Sequence, residues 1–208
     1  MSPLYLFDLI GTFAFAAYGA YLAQQKGFDI FGVFVCAFVS AFAGGSIRAL
    51  LLNQLPIYFI DSFYLFTVGL GLLFSIILFH RFAMIQRFML SLDAIGLVTF
   101  AFLGGTIALQ NHLGLIGVLI LSTISAVGGG VCCDLLMREV PRIFYRDFYA
   151  TPAILVGFGV FFLRTFLENT LVSYGLLFAV FCIRLFAIKF QVELWKPVRL
   201  GPERSSQN

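Results

Sequence analysis

Apolar runs of about 20 residues, separated by short polar stretches, account for most of this chain. They lie near 4–23, 30–52, 57–79, 89–109, 114–137, 150–168 and 171–189. A helix rising ~1.5 Å per residue needs about 20 apolar residues to cross the ~30 Å hydrocarbon core of a bilayer. The connections carry the polar punctuation: Gln24-Gln25-Lys26-Gly27, Asn53-Gln54-Leu55-Pro56, His80-Arg81, Asn111-His112, Arg138 through Asp147, and Glu168-Asn169-Thr170. The pattern predicts an all-α polytopic membrane protein with seven transmembrane helices.

Composition supports this class. The 208 residues are 61% hydrophobic and 11% charged, with mean hydropathy +1.01, whereas a soluble domain has about 25% charged residues. One transmembrane domain over 1–190 and a cytoplasmic tail over 191–208 are expected. Met1-Ser2-Pro3 lacks the basic start of a cleavable signal, and Asp8 follows early. Cys36, Cys132, Cys133 and Cys182 fall inside spans, without metal-site spacing, and read as small core residues. No cofactor or metal is expected. No catalytic set, phosphate loop or nucleic-acid surface is present, so the chain does not read as an enzyme.

The chain contains a duplication. Residues 8–56 align with 93–141 without a gap, at 17 identities in 49 positions. The matches include Asp8/Asp93, Gly19/Gly104, Ser40/Ser125, Gly44/Gly129, Gly45/Gly130 and Pro56/Pro141. The offset of 85 residues covers three spans, an odd number, so the second copy enters the membrane from the opposite side. The predicted architecture is an inverted 3+3 repeat, about 4–79 and 89–168, plus an extra helix at about 171–189. Eleven of the 13 Lys and Arg residues fall on the side shared with the C-terminus. By the positive-inside rule that side is cytoplasmic and the N-terminus is outside. Trp195-Lys196 then reads as an interfacial anchor.

Each repeat carries adjacent glycines in its second span, Gly44-Gly45 and Gly128-Gly129-Gly130. Glycine weakens a helix by about 1 kcal/mol relative to alanine, so helices 2 and 5 are expected to be broken there. Inverted topology brings the two breaks together near mid-membrane, with Ser40, Ser46 and Ser125 adding hydroxyls to an uncharged, oxygen-rich lining. Such a lining suits a weakly held monovalent cation. The competing reading is close helix packing through small residues.

Charges flank this centre. Arg48 and Asp8 lie at similar depths near one face, where either they pair or Arg48 snorkels to the interface. In the second copy Cys133 replaces Arg48, and Asp134 replaces Ala49. Asp93 and Asp134 either concentrate cations near the opposite mouth or are satisfied by Arg87 and Arg138. Arg138, Arg142 and Arg146 are placed to hold lipid head groups, although the positive-inside signal explains them equally well.

These features resemble the prokaryotic trimeric intracellular cation (TRIC) channel family, also catalogued as glycine-transporter-domain or YadS/YicG-like membrane proteins. The resemblance covers about residues 4–190. It implies a homotrimer in a bacterial or archaeal plasma membrane, with one potassium-permeable pore inside each protomer between helices 2 and 5. It places Gly44, Gly45 and Gly128 to Gly130 at the bend of the pore, and it makes Arg138-Glu139-Val140 with Arg142 similar to the phosphoinositide-binding motif of animal members. The bacterial pattern Gly-Gly-x-x-Arg-Asp is split here, with Arg48-Ala49 in one copy and Cys133-Asp134 in the other. A carrier for glycine or another small zwitterion is the alternative on the same residues.

Overall fold

The computed structural model describes residues 3–79, 82–144, 148–167 and 169–190, without the side chains of 3, 4, 82–85 and 87. Arg81, Arg146, Glu168 and the tail with Trp195 and Lys196 lie outside the described residues. Seven α-helices run in order: α1 Pro3–Gln25, α2 Ile30–Leu51, α3 Phe63–Leu78, α4 Phe82–Gln110, α5 Leu115–Leu136, α6 Thr151–Phe162 and α7 Thr170–Phe190. Among the described residues there is no strand.

The 85-residue offset governs the backbone as well as the sequence. Helices α2 and α5 begin and end 85 positions apart, and 3₁₀ turns follow at Ile57–Phe59 and Arg142–Phe144. Left-handed residues close α1 and α2 at Gly27 and Asn53, and close α4 and α5 at His112 and Arg138. Each of these four ends shows the crossed carbonyl bonds of a Schellman cap, for example Gln54 N to Ala49 O at 2.8 Å and Glu139 N to Asp134 O at 2.9 Å. The capping chemistry therefore persists where glycine or asparagine has become His112 or Arg138.

Two expectations change. First, α3 and α6 are shorter than the spans predicted at 57–79 and 150–168. Their 16 and 12 residues reach only about 24 and 18 Å at ~1.5 Å per residue. Among the described residues, five helices are long and apolar enough to cross a membrane: α1, α2, α4, α5 and α7. The lost length is taken up by the 3₁₀ turns, including a third at Arg164–Phe166. Second, no unwound turn interrupts α2 at Gly44-Gly45 or α5 at Gly128-Gly129-Gly130; both stay α-helical throughout. Unwinding in an apolar interior leaves backbone groups unpaired, a larger penalty than glycine's propensity deficit. The glycines serve proximity instead.

Helices α1 and α4 form the centre, where Phe15 and Phe100 stack with ring centroids 5.3 Å apart. α2 packs on α1 and α5 on α4, and α2 and α5 cross each other; α3 covers α1, while α6 and α7 cover α4.

Candidate ion path

The α2–α5 crossing is a backbone-to-backbone contact with reciprocal parts. A Cβ on Gly44 would overlap the Ser125 carbonyl oxygen, and a Cβ on Gly129 would overlap the Ser40 carbonyl oxygen. A Cβ on Gly128 would stand 2.9 Å from the Gly44 Cα. Each partner lies 85 positions from its counterpart. The loop ends repeat the relation: the Lys26 ammonium pairs with Glu139, and the Gln54 amide donates to the Asn111 Oδ1 at 3.2 Å.

On one side of the crossing, a cavity of about 160 Å³ is lined by Asp8, Thr12, Gly45, Ser46, Arg48, Tyr58 and Tyr64, among others. The Tyr64 hydroxyl donates to Asp8 Oδ2 at 2.9 Å, and Ser46 donates to the Phe42 carbonyl at 2.8 Å while its oxygen lies 3.1 Å from the Tyr58 hydroxyl. Arg48 is only 8% exposed, and its Nη1 has no hydrogen-bond partner among the described residues. Asp8 and Arg48 share the cavity without an ion pair within 4 Å, and the described partner of the carboxylate is Tyr64.

The other side is denser in charge. Asp93, Asp134, Arg142 and Arg184 are all buried, at 1%, 3%, 4% and 3% exposure. Arg142 binds Asp134 through its backbone N–H at 2.9 Å and its Nε at 3.0 Å, and its Nη1 lies 3.8 Å from Asp93. Arg184 Nη2 lies 3.7 Å from Asp93, and the Tyr149 hydroxyl donates to Asp93 at 3.2 Å. The guanidinium of Arg142 also lies over the rings of Tyr18 and Tyr149. Two carboxylates against two guanidiniums leave the group near neutral, as burial of charge demands.

Several assignments change. Arg142 does not face head groups: the 3₁₀ turn after Pro141 folds it inward, so among the described residues the partners of Asp93 and Asp134 are Arg142 and Arg184; Arg138 stays exposed, and the Arg87 side chain lies outside the described residues. Ser40, Gly44, Ser125, Gly128 and Gly129 meet at the crossing; Gly45, Ser46 and Arg48 face the first cavity; Gly130 lies against Tyr149 and Arg142. Cys133, which stands where Arg48 stands in the first copy, donates its thiol to the Cys36 carbonyl at 3.7 Å. Tyr64, Tyr149 and Arg184 were missing from the sequence-based set. The two tyrosines follow the same 85-residue offset, eight residues beyond the aligned segment.

Comparison with known proteins agrees with the duplicated helical fold. The family model described as Glycine transporter matches twice, at residues 5–80 and 90–165. The chain is 35% identical to a UPF0126 membrane protein of Vibrio cholerae over 93% of this chain and 82% of that one. It is 34% identical to the inner membrane protein YadS of Escherichia coli over 74% of this chain and 75% of that one. Among solved structures, one reported as a TRIC cation channel is 33% identical and superposes with TM-score 0.87 over 97% of this chain and all of that one. The chain belongs to the prokaryotic TRIC family. Another member, the TRIC trimeric intracellular cation channel orthologue from Rhodobacter sphaeroides, is 29% identical with TM-score 0.84 over 92% of this chain and all of that one. Like its UPF0126 relatives, this TRIC-family chain is a multi-pass membrane protein.

Proposed function

We propose that this TRIC-family chain is the subunit of a homotrimeric, potassium-permeable cation channel in a bacterial plasma membrane. Each protomer holds its own ion path, which runs from the Asp8–Tyr64–Arg48 cavity, past the α2–α5 crossing, to the Asp93–Tyr149 cluster. The duplicated halves, 4–79 and 89–168, lie inverted in the membrane, with α7 added and the N-terminus outside. The observation that carries the reading is a carboxylate-bearing cavity on one side of a glycine crossing and a buried carboxylate cluster on the other, in a fold that superposes on TRIC cation channels over nearly its whole length.

The crossing is the constriction. Gly44, Gly128 and Gly129 hold the helices in contact, and conduction requires them to separate by the width of a dehydrated ion. Carbonyls and serine hydroxyls then replace part of the ion's hydration, weakly enough for the ion to leave. Asp8 attracts cations at one end, and Asp93 offers a carboxylate at the other, where Arg142 and Arg184 offset its charge; Tyr64 and Tyr149 hold those carboxylates in place. Membrane lipids surround the trimer, and the exposed Arg138 is placed to meet their head groups. Reversal potentials across a planar bilayer with unequal potassium, sodium and chloride test the reading: cation-selective unitary currents support it, and electrically silent protein overturns it.

A further inference from the structure

We infer that α7, which lies outside the duplicated unit, positions the Asp93–Tyr149 pair through Arg184, and that Pro152 creates the need for it. The inference rests on the proposed role of Asp93 in the ion path.

The two halves differ where their third helices begin. In the first half α3 starts at Phe63, and the Thr67 hydroxyl donates to the Phe63 carbonyl at 2.8 Å. Eighty-five positions on, Phe63 becomes Phe148 and Thr67 becomes Pro152. Proline has no N–H for the carbonyl four residues back, and in a helix its ring clashes with that carbonyl. Helix α6 accordingly starts at Thr151, which places Pro152 in its first turn, where no N–H is needed. Tyr64 therefore lies inside α3, whereas Tyr149 precedes α6. Phe148 takes a φ of 61°, a region that a bulky side chain seldom adopts.

The Phe148 carbonyl has thus lost its helical donor, and Arg184 supplies another. Its Nη1 donates to that carbonyl at 2.7 Å. Its Nη2 lies 3.7 Å from Asp93, and its guanidinium carbon is 5.0 Å from the Tyr149 ring centroid. One buried side chain of α7 therefore holds both the turn that carries Tyr149 and the carboxylate that Tyr149 binds. The first half needs no such support, because α3 forms its own first turn.

A double-mutant cycle read in two ways tests this. Arg184→Gln lowers the melting temperature of the full-length protein in detergent. In a Pro152→Thr background, residue 152 again offers an N–H to Phe148, and the same change lowers the melting temperature by at most about half as much. Unitary potassium conductance of Arg184→Gln rises at least about twofold, because Asp93 loses a neighbouring positive charge and local cation concentration grows. Arg184→Lys, which keeps the charge, restores it. Equal losses of melting temperature in the two backgrounds overturn the anchoring role, whatever the currents do. Unchanged conductance in Arg184→Gln, beside normal wild-type currents, overturns the positioning role. Silent wild-type protein counts against the channel reading itself, and the melting comparison still decides the anchoring.

Discussion

Gly129 approaches Ser40 so closely that a methyl group on the glycine would overlap the serine's carbonyl oxygen. The obstacle is backbone, which cannot rotate away as a side chain does, so Gly129→Ala must push α2 and α5 apart. We expect it to destabilise the protein by about 1–3 kcal/mol, as overpacking does, and to change unitary conductance. The neighbouring Gly45 is a control. A Cβ there would meet only Arg48 Nη2, at 3.7 Å, and Gly45→Ala gains up to about 1 kcal/mol of helix propensity. Thermal melts of the two variants check the contrast in stability, and bilayer recordings of Gly129→Ala check the change in conductance.

Arg142 carries the second prediction. Arg142→Gln leaves Asp134 buried without its countercharge, which costs about 3–5 kcal/mol for pairs of this kind. Replacing both partners with apolar residues, Arg142→Met with Asp134→Leu, recovers most of that loss by the same reasoning. Arg138→Gln, at an exposed position, changes stability by less than about 0.5 kcal/mol. Chemical denaturation of the four proteins in one detergent measures the difference.

The paired tyrosines give the third. Tyr64→Phe and Tyr149→Phe each remove a hydroxyl from an intramembrane carboxylate, at a cost of about 1–3 kcal/mol. Each also raises cation current, since the freed carboxylate offers its charge to the path. Similar effects from both variants would match the repeat; an effect confined to Tyr149 would assign the control of cation current to one half.

The Lys26–Glu139 pair at the loop ends gives the fourth. Both side chains are 45% exposed, so Lys26→Gln should cost no more than about 1 kcal/mol. The effect should shrink further as salt rises. Melting temperatures at low and high ionic strength suffice to check it.

The helix order, the duplication and the pairing of Gly44 with Gly129 were all legible, because hydropathy and a fixed offset are properties of the string itself. The continuity of α2 and α5 was not, because propensity weighs a glycine alone while the fold weighs it against Ser40 or Ser125 across the crossing. Arg142 misled for a similar reason. Its place in a basic loop after Pro141 matched a surface signal, and only the 3₁₀ turn at Arg142–Phe144 brings it to Asp134. Arg184 carried no local sign at all, since its partner Phe148 lies 36 positions away and is reached only once α7 packs on α4 and α6. Pro152 in place of Thr67 lies beyond the aligned segment, and its meaning needed the start of α6.

Whether ions pass beside α2 on its Ser46 face is the central question, and thiol modification addresses it most directly. Potassium current is recorded from Ser46→Cys with the four native cysteines replaced, while a thiol-reactive ammonium reagent is added on the Arg48 side. Leu50→Cys, whose position on the same helix is 74% exposed and lies outside the cavity lining, serves as the control. The account predicts that current through Ser46→Cys falls irreversibly and that the control is unaffected. Current through Ser46→Cys that persists after complete labelling would contradict it.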